Sequence, residues 1–147
     1  MWDKESTLRI LIVDDVAVNR KLLQLMLSRL GYKADMVTNG KEAIQALEKQ
    51  PYDLIFMDLQ MPILDGLRAA QAIRENLAGK EQPYIIAITA YADRFDRETC
   101  KNAGMNDYLT KPATLNDIRV AVQSAQIQLK KKGFDPYNEK TITDGIY

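Results

Sequence analysis

The chain has 147 residues, 46% hydrophobic and 27% charged, the make-up of an ordinary globular protein with the length of one domain. Lys plus Arg equals Asp plus Glu at 20 each, so the formal net charge is zero and no global field steers the chain toward nucleic acid or an anionic membrane. Histidine is absent, which excludes His-based triads, His-ligated zinc and histidine general-base catalysis, and no stretch approaches the ~20 apolar residues of a membrane helix.

Residues 1–7 read as a lead-in, since Met1 to Ser6 mixes acid and base where a signal peptide would be basic and then apolar, and a cytoplasmic setting is expected. A domain is expected over 8–131. Leu8 to Val13, broken only by Arg9, reads as a strand buried on both faces, and it runs into Asp14-Asp15. Val18, Leu22, Leu25, Met26 and Leu30 then give helical spacing, with Gly31 as a natural C-cap. Lys33 to Val37 is a weak second strand. Asn39-Gly40 turns the chain into a helix with Ala43, Ile44 and Leu47 on one side, closed by Pro51.

Leu54 to Asp58 is the third strand and again ends in acid. Pro62 and Asp65-Gly66 make the next loop and cap a helix from about Leu67 to Asn76, before Gly79 breaks the pattern. Ile85 to Thr89 is the fourth strand. A helix near Asp93 to Ala103 ends at Gly104 and carries the lone Cys100, read as a buried structural thiol; one cysteine permits no internal disulfide. Asp107 to Thr110 is a short fifth strand stopped by Pro112. In the last helix Leu115, Ile118, Val122, Ala125 and Leu129 form one apolar face, and Lys130 to Lys132 lie where cations favour a helix C-terminus. Periodicity is lost from Gly133, so residues 132–147 read as a tail or linker.

Strands alternating with helices at short intervals predict an α/β fold, a parallel sheet with helices on both faces. Such sheets put their chemistry at the carboxyl ends of the strands, so Asp14, Asp15 and Asp58 should share one rim. A few hard oxygen ligands with open positions suit Mg²⁺, which keeps water and binds phosphate oxygens. Capping of the following helix by Asp14 or Asp15 is the plainer alternative. Thr89 and Lys111 reach the same rim by the same rule. A hydroxyl and an ammonium complete a phosphate site, in which a carboxylate, here Asp58, can serve as nucleophile.

With these positions in hand, residues 8 to 130 resemble a response-regulator receiver domain of two-component signalling. The motifs are Ile-Leu-Ile-Val-Asp14-Asp15, Phe-Met-Asp58-Leu-Gln-Met-Pro62 with Asp65-Gly66, Ile-Ala-Ile-Thr89-Ala90, and Ala-Gly104-Met-Asn-Asp-Tyr108-Leu-Thr-Lys111-Pro112. Asn19-Arg20, Gln60-Met61-Pro62 and the Ala-Gly-Met run are most like receivers of hybrid histidine kinases, although Val16 departs from the Asn those often carry. The resemblance implies a flavodoxin-like, doubly wound (βα)5 sandwich with a five-stranded parallel sheet in order 2-1-3-4-5. It further implies that Asp58 accepts a phosphoryl group from the phosphohistidine of a histidine kinase or histidine phosphotransfer protein. Mg²⁺ would be bound by Asp15 and Asp58, by Asp14 through water, and by the Gln60 backbone carbonyl. Lys111 would pair with Asp58 and then with the phosphoryl oxygens, Thr89 would swing toward them, Ala90 would keep the rim uncrowded, and Tyr108 would follow Thr89 inward. A second copy or a downstream effector would bind the face built from the fourth helix, fifth strand and fifth helix. No nucleic-acid contact or membrane insertion is expected.

Two other readings stay open on the residues alone. One is a Mg²⁺-dependent phosphohydrolase with an aspartyl-phosphate intermediate, as in the haloacid-dehalogenase family; there an acid follows the nucleophile by two positions, where this chain has Gln60. The other is a phosphate-independent interaction module of the same fold.

Overall fold

A strand covered on both faces must be apolar at odd and even positions alike. In the computed structural model, which describes residues 8–90, 92 and 96–132, β1 (Ile10–Val13), β3 (Leu54–Asp58) and β4 (Tyr84–Thr89) are buried at every position. They form the centre of a parallel five-stranded sheet ordered β2-β1-β3-β4-β5, with β2 (Ala34–Val37) and β5 (Asp107–Thr110) on the edges. This is the order the family resemblance implied.

Alternate residues feed two cores. Leu11, Val13, Ile55, Met57 and Ile85 pack toward α2 (Gly40–Lys49), α3 (Gly66–Asn76) and α4 (Arg97–Asn102), meeting Ala43, Ala69, Ile73 and Cys100. Ile10, Ile12, Leu54, Phe56 and Ile86 pack the other way, toward Leu23 and Leu27 of α1 (Ala17–Arg29) and Ile118, Val122 and Ala125 of α5 (Leu115–Lys132). Cys100 is buried, as expected, and burial pushes its thiol pKa up.

Capping sets where the helices begin. Asn39, Asp65 and Asp96 each accept a backbone N–H from three residues on, while Thr114 and Asp117 exchange reciprocal bonds ahead of α5. The Asp96 cap starts α4 at Arg97, later than the Asp93 start read from sequence; residues 93–95 lie outside the described residues, as do 1–7 and the tail from Gly133. β1 begins at Ile10 where the apolar run began at Leu8.

The face of α1 also differs from the spacing. Leu23 and Leu27 make the core contact, whereas Val18, Leu22 and Leu25 are 74%, 50% and 53% exposed. At the other end of the sheet, the half-buried Arg74 pins α3 to the β4 and β5 strand starts. Its guanidinium donates to the Gly104 and Pro83 carbonyls and to the side chains of Gln82 and Asn106 at 2.7–3.1 Å. Among the described residues no helix is long and apolar enough to cross a membrane.

Candidate functional site

The register decides which side chains meet. Val13 pairs with Met57, so the next residues, Asp14 just past β1 and Asp58 at the end of β3, stand side by side. Carboxylate oxygens of Asp14, Asp15 and Asp58 all lie within 4.8 Å of one another. Asp14 and Asp58 are buried, and Asp15 is exposed. Asp14 Oδ1 accepts the Val16 N–H at 2.9 Å, and its Oδ2 takes the Lys111 ammonium at 2.9 Å. The capping alternative therefore accounts for one oxygen of Asp14 only: the N-cap residue of α1 is Val16, and neither Asp15 nor Asp58 caps the helix.

Lys111 follows β5 and precedes Pro112 across a cis peptide bond. Its Nζ stands 3.6 Å from Asp58 Oδ1, so it bridges both buried carboxylates while sitting closer to Asp14 than to Asp58, the partner expected from sequence. The Gln60 N–H points to Asp58 Oδ1 at 3.4 Å. Asp15, Val16, Asn19, Gln60, Ala90 and Lys111 line, with Asp58, an open cavity of about 560 Å³. Thr89 is fully buried at the end of β4, and Ala90 is exposed. Tyr108 is already buried against the α4 side of the sheet, with the Arg97 guanidinium 5.4 Å from its ring centre, and it does not line the acidic cavity.

Burial pushes the Asp58 pKa up to about 6. Lys111 opposes that rise, the neighbouring Asp14 charge adds to it, the Gln60 N–H opposes it, and Asp15 adds a little more. A pocket of three carboxylates with one ammonium is short of positive charge. The carboxylate of Asp15 has no hydrogen-bond or ion-pair partner among the described residues. Hard oxygens, one of them unengaged and facing an open cavity, fit a divalent cation such as Mg²⁺, which would offset the mutual repulsion.

Three contributors escaped the sequence reading of the site. The sequence pattern makes Gly66 a turn residue, yet a Cβ there would stand 2.3 Å from the Asp58 carbonyl oxygen and 2.8 Å from Leu59 Cα; the start of α3 presses against the backbone that carries Asp58. Asn19 lines the acidic cavity, and Arg20 donates to the Asp14 carbonyl oxygen at 2.9 Å. Their positions one turn into α1 were the available signal. A neighbouring apolar groove of about 360 Å³ runs between α1 and α5, lined by Leu22, Met26, Ile88, Pro112 and Ile118, and opens at Asp14 and Lys111.

A family model described as the response regulator receiver domain matches residues 10–123. The two-component response regulator 24 of Arabidopsis thaliana is 42% identical over 115 residues, covering 78% of this chain and 81% of that protein. Hybrid signal transduction histidine kinase K of Dictyostelium discoideum is 37% identical over 127 residues, 82% of this chain; the chain spans only 10% of that kinase's length. Among solved structures, the receiver domain of a Pseudomonas aeruginosa sensor histidine kinase, with magnesium coordinated in its active-site cleft, is 41% identical with a TM-score of 0.70, covering 80% of this chain and 95% of that one. The receiver domain of the Saccharomyces cerevisiae response regulator Ssk1, in complex with the histidine phosphotransfer protein Ypd1, is 31% identical with a TM-score of 0.74, covering 82% and 90%. Motif order, sheet order and these relatives agree, and the chain belongs to the response regulator receiver domain family of two-component systems.

Proposed function

We propose that this receiver is a phosphoacceptor switch in which Asp58 takes a phosphoryl group from a phosphohistidine of a histidine kinase or histidine phosphotransfer protein. The observation that carries the reading is the convergence of Asp14, Asp15 and Asp58 within 4.8 Å with Lys111 shared between the two buried acids. An Asp58 carboxylate oxygen attacks phosphorus, the N–P bond of the donor breaks, and the imidazole leaves with the bonding pair. Asp58 is largely ionised above about pH 6, which leaves it available as a nucleophile at neutral pH.

Asp15, Asp58 and the Gln60 carbonyl would hold Mg²⁺, with Asp14 acting through water; the ion supplies charge neutralisation for the carboxylates and the incoming phosphoryl oxygens. The magnesium-bound Pseudomonas relative supports that assignment. Lys111 moves from its carboxylate partners to the phosphoryl oxygens. Thr89 turns its hydroxyl to the same group, Ala90 leaves room at the rim, and Tyr108 repacks in response, altering the face of α4, β5 and α5 where an effector or second copy binds. The donor must reach Asp58 across the rim. Exposed Val16, Val18, Leu22 and Leu25 on that side offer it an apolar seat, and the Ypd1 complex of a relative supports a partner of this class.

The phosphohydrolase reading loses support because position 60 is Gln, with no acid to protonate a leaving group. We place the domain in the cytoplasm as a signalling module whose only catalysis is of its own phosphorylation and slow dephosphorylation. Transfer of labelled phosphate from a phosphorylated histidine phosphotransfer protein to the wild type, and none to Asp58→Ala, is the expected result. Equal labelling of both proteins would reject the assignment.

A further inference from the structure

We infer that Arg20 is a positioning residue for the cation site, acting on Asp15 through the Asp14 carbonyl; this deepens the proposed function and rests on it. Of the three acids, Asp14 is held by the Val16 N–H and by Lys111, and Asp58 is held by Lys111 and the Gln60 N–H. Asp15 has no such hold. Its carboxylate makes no hydrogen bond or ion pair among the described residues, so its place beside Asp14 and Asp58 is set by its backbone.

That backbone begins at the Asp14–Asp15 peptide, in the turn between β1 and α1. The Asp14 N–H belongs to the end of the sheet, bonded to the Val37 carbonyl at 3.3 Å. The Asp14 C=O is fixed by Arg20, whose Nη1 donates to it at 2.9 Å from a half-buried position on α1. Orientation of this carbonyl determines the rotation of the peptide plane, and with it the direction in which Asp15 leaves the chain. The main chain of Arg20 belongs to the first turn of α1, where its backbone N–H bonds the Val16 carbonyl at 3.1 Å. The first turn of α1 thus reaches back and sets the peptide ahead of Asp15, the acid of the three without a side-chain partner among the described residues.

Outer partners that orient metal ligands commonly change affinity by 10- to 100-fold when lost. Acting through one peptide unit, Arg20 is assigned the lower end, about tenfold.

The test is calorimetric and NMR titration of the metal-free protein with MgCl₂, for the wild type, Arg20→Ala, Arg20→Lys and Asp15→Asn. Arg20→Ala is expected to weaken Mg²⁺ binding about tenfold, Arg20→Lys to recover most of the loss because it can donate to the same carbonyl, and the Asp15 amide resonance to shift in Arg20→Ala before any Mg²⁺ is added. Phosphorylation of Arg20→Ala should return to the wild-type rate at saturating Mg²⁺. Unchanged Mg²⁺ affinity in Arg20→Ala, with Asp15→Asn still weakening it, would overturn the role of Arg20 alone. Failure of the wild type to bind Mg²⁺ would overturn the cation site as well.

Discussion

Replacing Asp58 with Asn should stabilise the metal-free protein, and the gain should depend on pH in a defined direction. The native carboxyl holds its proton up to about pH 6, whereas the unfolded one releases it near the ordinary value of 3.8, so folding takes up a proton between those limits. Stability contributed by this group is therefore complete below 3.8, falls as pH rises through the window, and stays low above about 6. At ~1.4 kcal/mol per pH unit the gap corresponds to ~3 kcal/mol of cost at neutral pH, borne by a side chain that is almost wholly buried. An amide carries no charge to desolvate or repel Asp14 and Asp15. Allowing for its weaker bond to Lys111, a net gain of ~2 kcal/mol is expected near pH 7.5, shrinking below ~1 kcal/mol near pH 4. Urea unfolding of both proteins in EDTA at the two pH values measures this directly. A variant no more stable than the wild type near neutrality, or equally stabilised at both pH values, would refute the reasoning.

Removing the ammonium by Lys111→Met should raise the Asp58 pKa beyond about 6, because Lys111 is the strongest influence holding it down; carboxyl NMR titration reads the value, and a fall would contradict the geometry. Gly66→Ala sets a Cβ 2.3 Å from the Asp58 carbonyl oxygen, where only backbone could yield, so a loss of ~2–3 kcal/mol is expected in denaturant melts. Arg74→Met leaves the Gly104 and Pro83 carbonyls without their donor and should cost ~2–4 kcal/mol, with chemical-shift changes concentrated around residues 82–84 and 104–106; a neutral result would show that the guanidinium network is dispensable. Adding Mg²⁺ should raise the melting temperature of the wild type with the logarithm of its concentration once the site is filled, and the response should be lost in Asp15→Asn.

Asp14, Asp58 and Lys111 could be brought to one rim from sequence because each ends or directly follows a strand-like run, with Asp15 next after Asp14, and parallel strands of similar length finish together. The sheet order was not legible that way; alternation alone permits other windings, and 2-1-3-4-5 came from the family resemblance. The buried face of α1 could not be chosen from spacing. Residues 22–27 read Leu-Leu-Gln-Leu-Met-Leu, apolar around most of the helix, so only packing against β1 and α5 selects Leu23 and Leu27. Pairing of Lys111 with Asp14 at shorter range than Asp58 depends on side-chain reach across the sheet end, which no local pattern encodes. The close approach at Gly66 was hidden for a related reason: its constraint is the Asp58 backbone several residues earlier, not the turn in which it lies.

The central claim is that folding gathers these acids and Lys111 so that one Asp58 oxygen attacks phosphorus. Intact-protein mass after incubation with acetyl phosphate tests it most directly, with and without Mg²⁺, in the wild type and in Asp58→Ala. The account predicts a gain of one phosphoryl group only in the wild type with Mg²⁺. An unmodified wild type, or the same gain in Asp58→Ala, would contradict it.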